Sequence, residues 1–162
     1  MSTLYQDDFY SWSLAQAAGL RRLAGLRLNH APELDWRELA EEIEDLRRSL
    51  ERELHSRLVV LLLHLLKWQF QPTRRSNSWM GTIRRERIAI AKHLRDNPGL
   101  KPRRVELLSD SYDEAVQGAV AETNLPLRHF PEHCPYALDE VMDAEFWPSG
   151  VDLPQRQPRR RR

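Results

Sequence analysis

The chain has 162 residues, 41% hydrophobic and 30% charged, with a formal net charge of +1. That length suits one domain, and the balance is ordinary for a globular protein. No run of eighteen apolar residues occurs, so no transmembrane helix is expected.

The near-zero net charge hides strong segmentation. Residues 72–104 carry ten Lys/Arg against two Asp/Glu, whereas residues 105–155 carry one against eleven, and residues 156–162 add five arginines. The N-terminus, Met1 to Tyr10, contains Asp7 and Asp8 and no apolar run, so a secretory signal is not expected. With a single cysteine, Cys134, no internal disulfide can form, and a reducing cytoplasm is the expected location.

The first predicted helix starts at Asp7 or Asp8, either of which can cap it. Phe9, Trp12, Leu20 and Leu23 are placed on its buried side, and Asn29 to Pro32 reads as a loop. Asp35 then opens the dominant element. Trp36 to Gln71 runs thirty-six residues without Gly or Pro and stops at Pro72. A continuous helix of that length spans about 54 Å. Asp35 with Glu38 resembles a capping box. At 100° per residue, Leu39, Ile43, Leu46, Leu50, Leu54, Leu61, Leu65 and Trp68 form one apolar stripe. Between Leu58 and Leu66 the apolar residues go all the way round, which predicts partners on every side and a core centred on residues 58–68. The first half is only amphipathic and is predicted to be half exposed, free to meet another subunit or protein.

A third helix, capped by Ser76, Asn77 or Ser78 and ended by Pro98, buries Trp79, Ile83, Ile90 and Leu94 and turns Arg84, Arg85, Lys92 and Arg95 outward. A fourth follows Pro102, with Leu108, Tyr112, Ala115 and Ala119 on one face, and ends near Asn124. Pro126, Pro131 and Pro135 mark a loop-rich segment expected to wrap the bundle, with a short helix between Ala137 and Asp143. The predicted architecture is therefore all-α: an elongated bundle of four main helices around one long central helix, with a C-terminal wrap. Residues 1–150 are assigned to a single helical domain and residues 151–162 to a disordered arginine-rich tail.

Several strings, taken in order, carry a family resemblance. They are Asp8-Phe9-Tyr10-Ser11-Trp12 with Gln16-Ala17, Leu34-Asp35-Trp36 leading to Glu41-Glu42-Ile43-Glu44, and His64-Leu65-Leu66-Lys67-Trp68. Ser78-Trp79, Thr82-Ile83, Arg87, Tyr112, Glu122-Thr123, Phe130-Pro131 and Cys134-Pro135-Tyr136 follow. Over residues 4–148 the chain resembles the bacterial family called domain of unknown function 29. Two departures are local: Asn124 stands where Gly is expected, and Gly118 interrupts the fourth helix. The resemblance implies a helical cytoplasmic protein and no particular reaction.

Candidate chemistry is sparse. Gln16, Glu42, His64 and Arg87 form a candidate core polar cluster: His64 falls inside the apolar segment and needs a hydrogen-bond partner, for which Gln16, Thr82 or a glutamate is available. Glu42, Glu53 and His64 share a stripe of the long helix but stand about 16 Å apart, too far for one metal ion. His129, His133 and Cys134 have Pro131 among them and no second Cys pair, so no metal site is assigned and no cofactor is expected. No Gly-x-Ser-x-Gly or phosphate-cradling glycine loop occurs. Arg84, Arg85, Lys92 and Arg95 are the candidate nucleic-acid contacts. The competing account pairs them with the acidic segment that follows, as charge complementarity between neighbouring helices. The sequence favours a non-catalytic protein-interaction or regulatory module, with another protein or a second copy as partner. A nucleic-acid-associated protein, and a metal-dependent enzyme with its site in the bundle core, are the alternatives.

Overall fold

A computed structural model describes residues 4–26 and 34–152. Among them are six α-helices and no strand: α1 Leu4–Asp7, α2 Phe9–Gly25, α3 Trp36–Phe70, α4 Asn77–Asp96, α5 Arg104–Thr123 and α6 Leu138–Met142. Short 3₁₀ turns join the later helices, at Pro72–Arg74, Pro98–Arg103 and Leu127–His129. The loop expected at Asn29 to Pro32 lies outside the described residues, as does the tail from residue 153 onward.

Local chemistry sets the helix ends. Asp8 caps α2, its carboxylate accepting from the Ser11 amide at 3.1 Å and the Ser11 hydroxyl at 2.7 Å. Gly99 lies against that cap: a Cβ there would stand 2.3 Å from Ser11 Oγ, so a side chain is excluded by contact. Asp35 accepts from the Arg37 and Glu38 amides, both at 3.0 Å, which makes one half of the expected capping box; no return bond from the Glu38 side chain is formed. Ser76 caps α4 through the Trp79 amide. The fourth main helix stops at Asn124, which adopts the left-handed conformation at φ 57°. Asn is the common non-glycine residue there, and it explains how the chain ends α5 without the expected Gly.

The long helix is unbroken over 35 residues, and α2, α4 and α5 all pack on it. Leu54, Leu58, Leu61, Leu62, Leu65 and Leu66 are at most 1% exposed. They meet Ile83 and Ile90 from α4, Tyr112, Ala115 and Ala119 from α5, and Val141 from the C-terminal wrap in one cluster. Each such side chain, fully buried, contributes about 1.5–3 kcal/mol. Gly118, which interrupts the pattern of α5, faces Leu63: a Cβ would lie 2.4 Å from its Cδ1.

The wrap closes the C-terminal end of α3. Phe130 packs edge-on against Phe70, with ring centroids 5.1 Å apart, and Trp147 lies 4.7 Å from Trp68. The Tyr112 hydroxyl donates to the Pro131 carbonyl at 2.8 Å, and Tyr136 donates to the Gln69 side chain. Val151, expected to begin the tail, is docked, its amide donating to the Gln69 carbonyl at 2.8 Å.

Three burial expectations need correction. The stripe of α3 is not continuously covered: Leu39 and Leu46 are 40% and 52% exposed. In this half α2 covers a neighbouring face that carries Ala40, Glu44, Arg47 and Glu51, so the leucines sit on an open flank. Nor is the second half enclosed on every side, because Val60 remains exposed and His64, one turn on, is only half-buried. On α2, Leu23 is exposed, and Phe9 and Trp12 are half-buried, stacked on each other with Tyr5 edge-on to both.

Candidate functional site

The four residues of the expected core polar cluster are not brought together. Gln16 on α2 and Glu42 on α3 are both exposed. His64 finds none of its expected partners; its Nδ1–H donates to the Val60 carbonyl of its own helix at 2.8 Å. A carbonyl four residues back satisfies the ring without any second helix, which is why no cluster is needed. Burial, first, and the nearby Lys67 and Arg85 charges pull the His64 pKa below its ordinary 6.5, against the Val60 hydrogen bond and Glu122.

Arg87 alone is deeply placed, at 4% exposure. Its Nε donates to the Val141 carbonyl at 2.8 Å, Nη2 to Phe146 at 2.8 Å and Nη1 to Ala144 at 3.4 Å. The guanidinium also lies 5.4 Å from the Trp147 ring centroid. A rigid planar fork thus reads three carbonyls at and just beyond the end of α6, a geometry that lysine cannot copy. Burial lowers its pKa, yet a guanidinium keeps its charge. Arg87 pins the wrap to α4.

Sequence reading missed a second polar assembly where α2, α3 and the Pro98–Arg103 turn meet. Glu51 Oε1 accepts from the Tyr10 hydroxyl at 2.6 Å, Arg47 Nη1 at 2.7 Å and Arg103 Nη1 at 3.2 Å. Arg47 also lies over the Tyr10 ring at 5.5 Å, and Glu44 bridges Arg47 to Arg21. Burial, then the Glu51 hydrogen bond, pushes the Tyr10 pKa up. The i,i+4 spacing of Arg47 and Glu51 was the available signal; nothing in sequence links Arg103 or Tyr10 to them. Lys67, similarly, reaches neither bulk water nor the last carbonyls of α3. Its amine pairs with Glu122 and sits 4.5 Å from the Trp79 centroid.

The candidate nucleic-acid contacts Arg84, Arg85, Lys92 and Arg95 all face solvent from α4. Ile88, 71% exposed, lies in their midst. The expected pairing with the acidic third does not form: among the described residues no ion pair joins α4 to residues 105–152. Both helices pack on α3 instead, so their charged faces point away from each other. Arg85 pairs with its sequence neighbour Glu86 and donates to Thr82 Oγ1 at 3.2 Å, Arg95 pairs with its neighbour Asp96, and Arg84 rests 5.8 Å from the Trp147 ring centroid.

His129, His133 and Cys134 are also separate in role. Cys134 Sγ donates to the Tyr136 carbonyl at 3.5 Å, and burial raises its pKa. His133 is exposed, while His129 borders a cleft and keeps its Nδ1 buried without a hydrogen-bond partner.

These features define an all-α protein whose polar groups mostly fasten helices and wrap together around one long rod. The match to the family model described as Domain of unknown function DUF29 spans residues 4–147, and the chain belongs to that family. It is similar in structure to an α-helical protein of unknown function from Rhodospirillum rubrum, known from a crystal structure. The two share 25% identity and a TM-score of 0.69 over 90% of this chain and 93% of the other. No curated protein matches the chain. Among the described residues no helix is long and apolar enough to cross a membrane.

Two outcomes follow from the geometry. Arg87→Met leaves three carbonyls without their donor and is expected to cost about 2–4 kcal/mol in urea unfolding. Arg87→Lys recovers little of this, and in both variants protease cleavage begins within residues 137–147 under native conditions. For His64, the folded pKa is depressed, so the unfolded chain protonates first as pH falls. Stability therefore declines as pH falls through the ordinary imidazole value of 6.5. His64→Gln is expected to flatten that decline in the urea midpoint; an unchanged slope would show that other groups cause it.

Proposed function

We propose that the protein is a non-catalytic interaction module that receives a partner helix along the open flank of α3. One observation supports this reading above others. Leu39 and Leu46, seven residues apart, share one exposed ridge, and half-buried Ile43 and Leu50 complete a 4-3-4 spacing. That is the seam spacing with which one helix packs along another. The ridge stays open because α2 occupies the adjacent face, where Tyr10 meets Glu51 and Arg21 meets Glu44. The fitting partner is an amphipathic helix with its own leucine seam, from another protein or from a second copy of this chain.

A photo-crosslinking amino acid at Leu46, with Val105 on α5 as the exposed control, tests this in cells. The reading expects an adduct at position 46 and none at position 105, and sedimentation velocity separates a second copy from a foreign partner. Leu39→Glu with Leu46→Glu is expected to abolish the adduct while leaving stability within about 0.5 kcal/mol, as for other surface changes. Equal labelling at both positions, or none at position 46, contradicts it.

A second reading, nucleic-acid association, is favoured by one specific observation: the basic face of α4 is turned to solvent and takes no acid from the following helix. Four phosphate contacts from Arg84, Arg85, Lys92 and Arg95 imply a log–log salt slope of about −3 to −4 in anisotropy titrations with duplex DNA. Arg84→Glu with Arg85→Glu is expected to remove the binding, and no binding at low salt sinks this reading.

A further inference from the structure

At the end of α3 remote from the leucine ridge, the wrap leaves a cleft of about 790 Å³. It lies 24 residues along the helix from Leu46 to Phe70, about 36 Å. Its walls are the Pro72–Arg74 turn, the chain after α5, the Leu127–His129 turn and the segment at Val151. The size suits a small organic ligand. From these residues we infer a binding site for a small amphipathic anion, a compound with a carboxylate or phosphate group on an apolar body.

The charges decide the ligand class. Arg74 and Arg128 line the cleft, and neither guanidinium makes a hydrogen bond or ion pair with a described residue. Asp152, also on the rim, is the one acid among the described lining residues and leaves a positive balance there. Two helices end here, and open carbonyl termini would repel an anion. Those termini are largely occupied by the protein's own donors, however. The Lys67 carbonyl takes the Gln71 amide, Gln69 takes the Val151 amide, Trp68 takes Arg75 Nε, and Thr123 takes Gln71 Nε2. With the carbonyls capped, the two arginines dominate the mouth.

The floor supplies the second half of the recognition. Phe70, Leu125 and Val151 offer an apolar surface for the body of the ligand, while the arginines at the rim suit a carboxylate or phosphate, each of which a guanidinium binds with two parallel hydrogen bonds. His129 adds an independent sign that the lining is polar beyond what the fold uses. Its Nδ1 is buried with no partner, a rare state for a native polar atom. A half-turn of the ring exchanges Nδ1 with Cδ2 and offers the nitrogen a different set of neighbours. This site is separate from the leucine ridge and does not depend on the partner-helix reading.

The test is an amide NMR titration of the whole protein with phenyl phosphate and with benzoate, which separate the phosphate and carboxylate classes. Benzyl alcohol serves as the uncharged control. At least one anion is expected to saturate at about millimolar concentration, a modest affinity for a small fragment. Shifts should concentrate at residues 124–129 and 151, and benzyl alcohol should bind at least about tenfold more weakly, the scale of losing a charge-assisted contact. Arg128→Gln and Arg74→Gln, both at exposed positions, should each weaken binding about fivefold or more with the rest of the spectrum unchanged. The inference is overturned if neither anion saturates by about ten millimolar. It is also overturned if the shifts gather on the α4 basic face, or if Arg128→Gln leaves the titration unaltered.

Discussion

Six leucines on α3, from Leu54 to Leu66, are sealed from water by neighbours that arrive from different parts of the chain. No single helix can cover an apolar band that extends most of the way round another. The second half of α3 therefore needs α4, α5 and the wrap at once: α4 and α5 each meet the rod more than they meet each other, and α6 of the wrap packs against both of them. That requirement explains why a segment as irregular as residues 124–152 is held in place. Its aromatic residues and Val141 complete a core that helices alone leave open, and Arg87 ties its carbonyls down. The first half of the rod carries no such demand. There α2 meets α3 along a seam of small residues, Ser13, Ala17 and Ala40, flanked by the Tyr10–Arg47–Glu51 network.

One consequence is a division of labour along α3. The oily half is committed to the interior and supplies cohesion. The amphipathic half keeps a leucine ridge uncovered. The far end carries a cleft whose floor is made by the core and whose rim is charged. The two proposed binding surfaces thus sit at opposite ends of the same rigid element. The basic face of α4 forms a third surface, exposed because the acidic and basic helices are both drawn to the rod rather than to each other.

Much of the backbone was legible because its signals are local. Asp8, Ser76 and Asn124 act within a few residues of where they stand, and the absence of Gly and Pro from Trp36 to Gln71 fixes a rod whatever surrounds it. Burial was legible only where the pattern demanded it from every direction. Leu39 and Leu54 have the same periodic credentials, yet one is exposed and the other sealed, because periodicity names a face and not the neighbour that reaches it. The polar sites were harder still. Arg87 binds backbone carbonyls, which every sequence contains, and Glu51 gathers donors from three separated segments. The cleft is formed by residues from the ends of α3, α5 and the wrap, so no contiguous string marks it.

Native-state hydrogen exchange, read residue by residue along α3, tests the central dependence most directly. If the oily half holds the molecule together, amides from Leu54 to Leu66 exchange only through global unfolding, while those near Leu39 to Leu46 open at lower free energy. Equal protection along the whole rod, or a first half more protected than the second, would contradict the account.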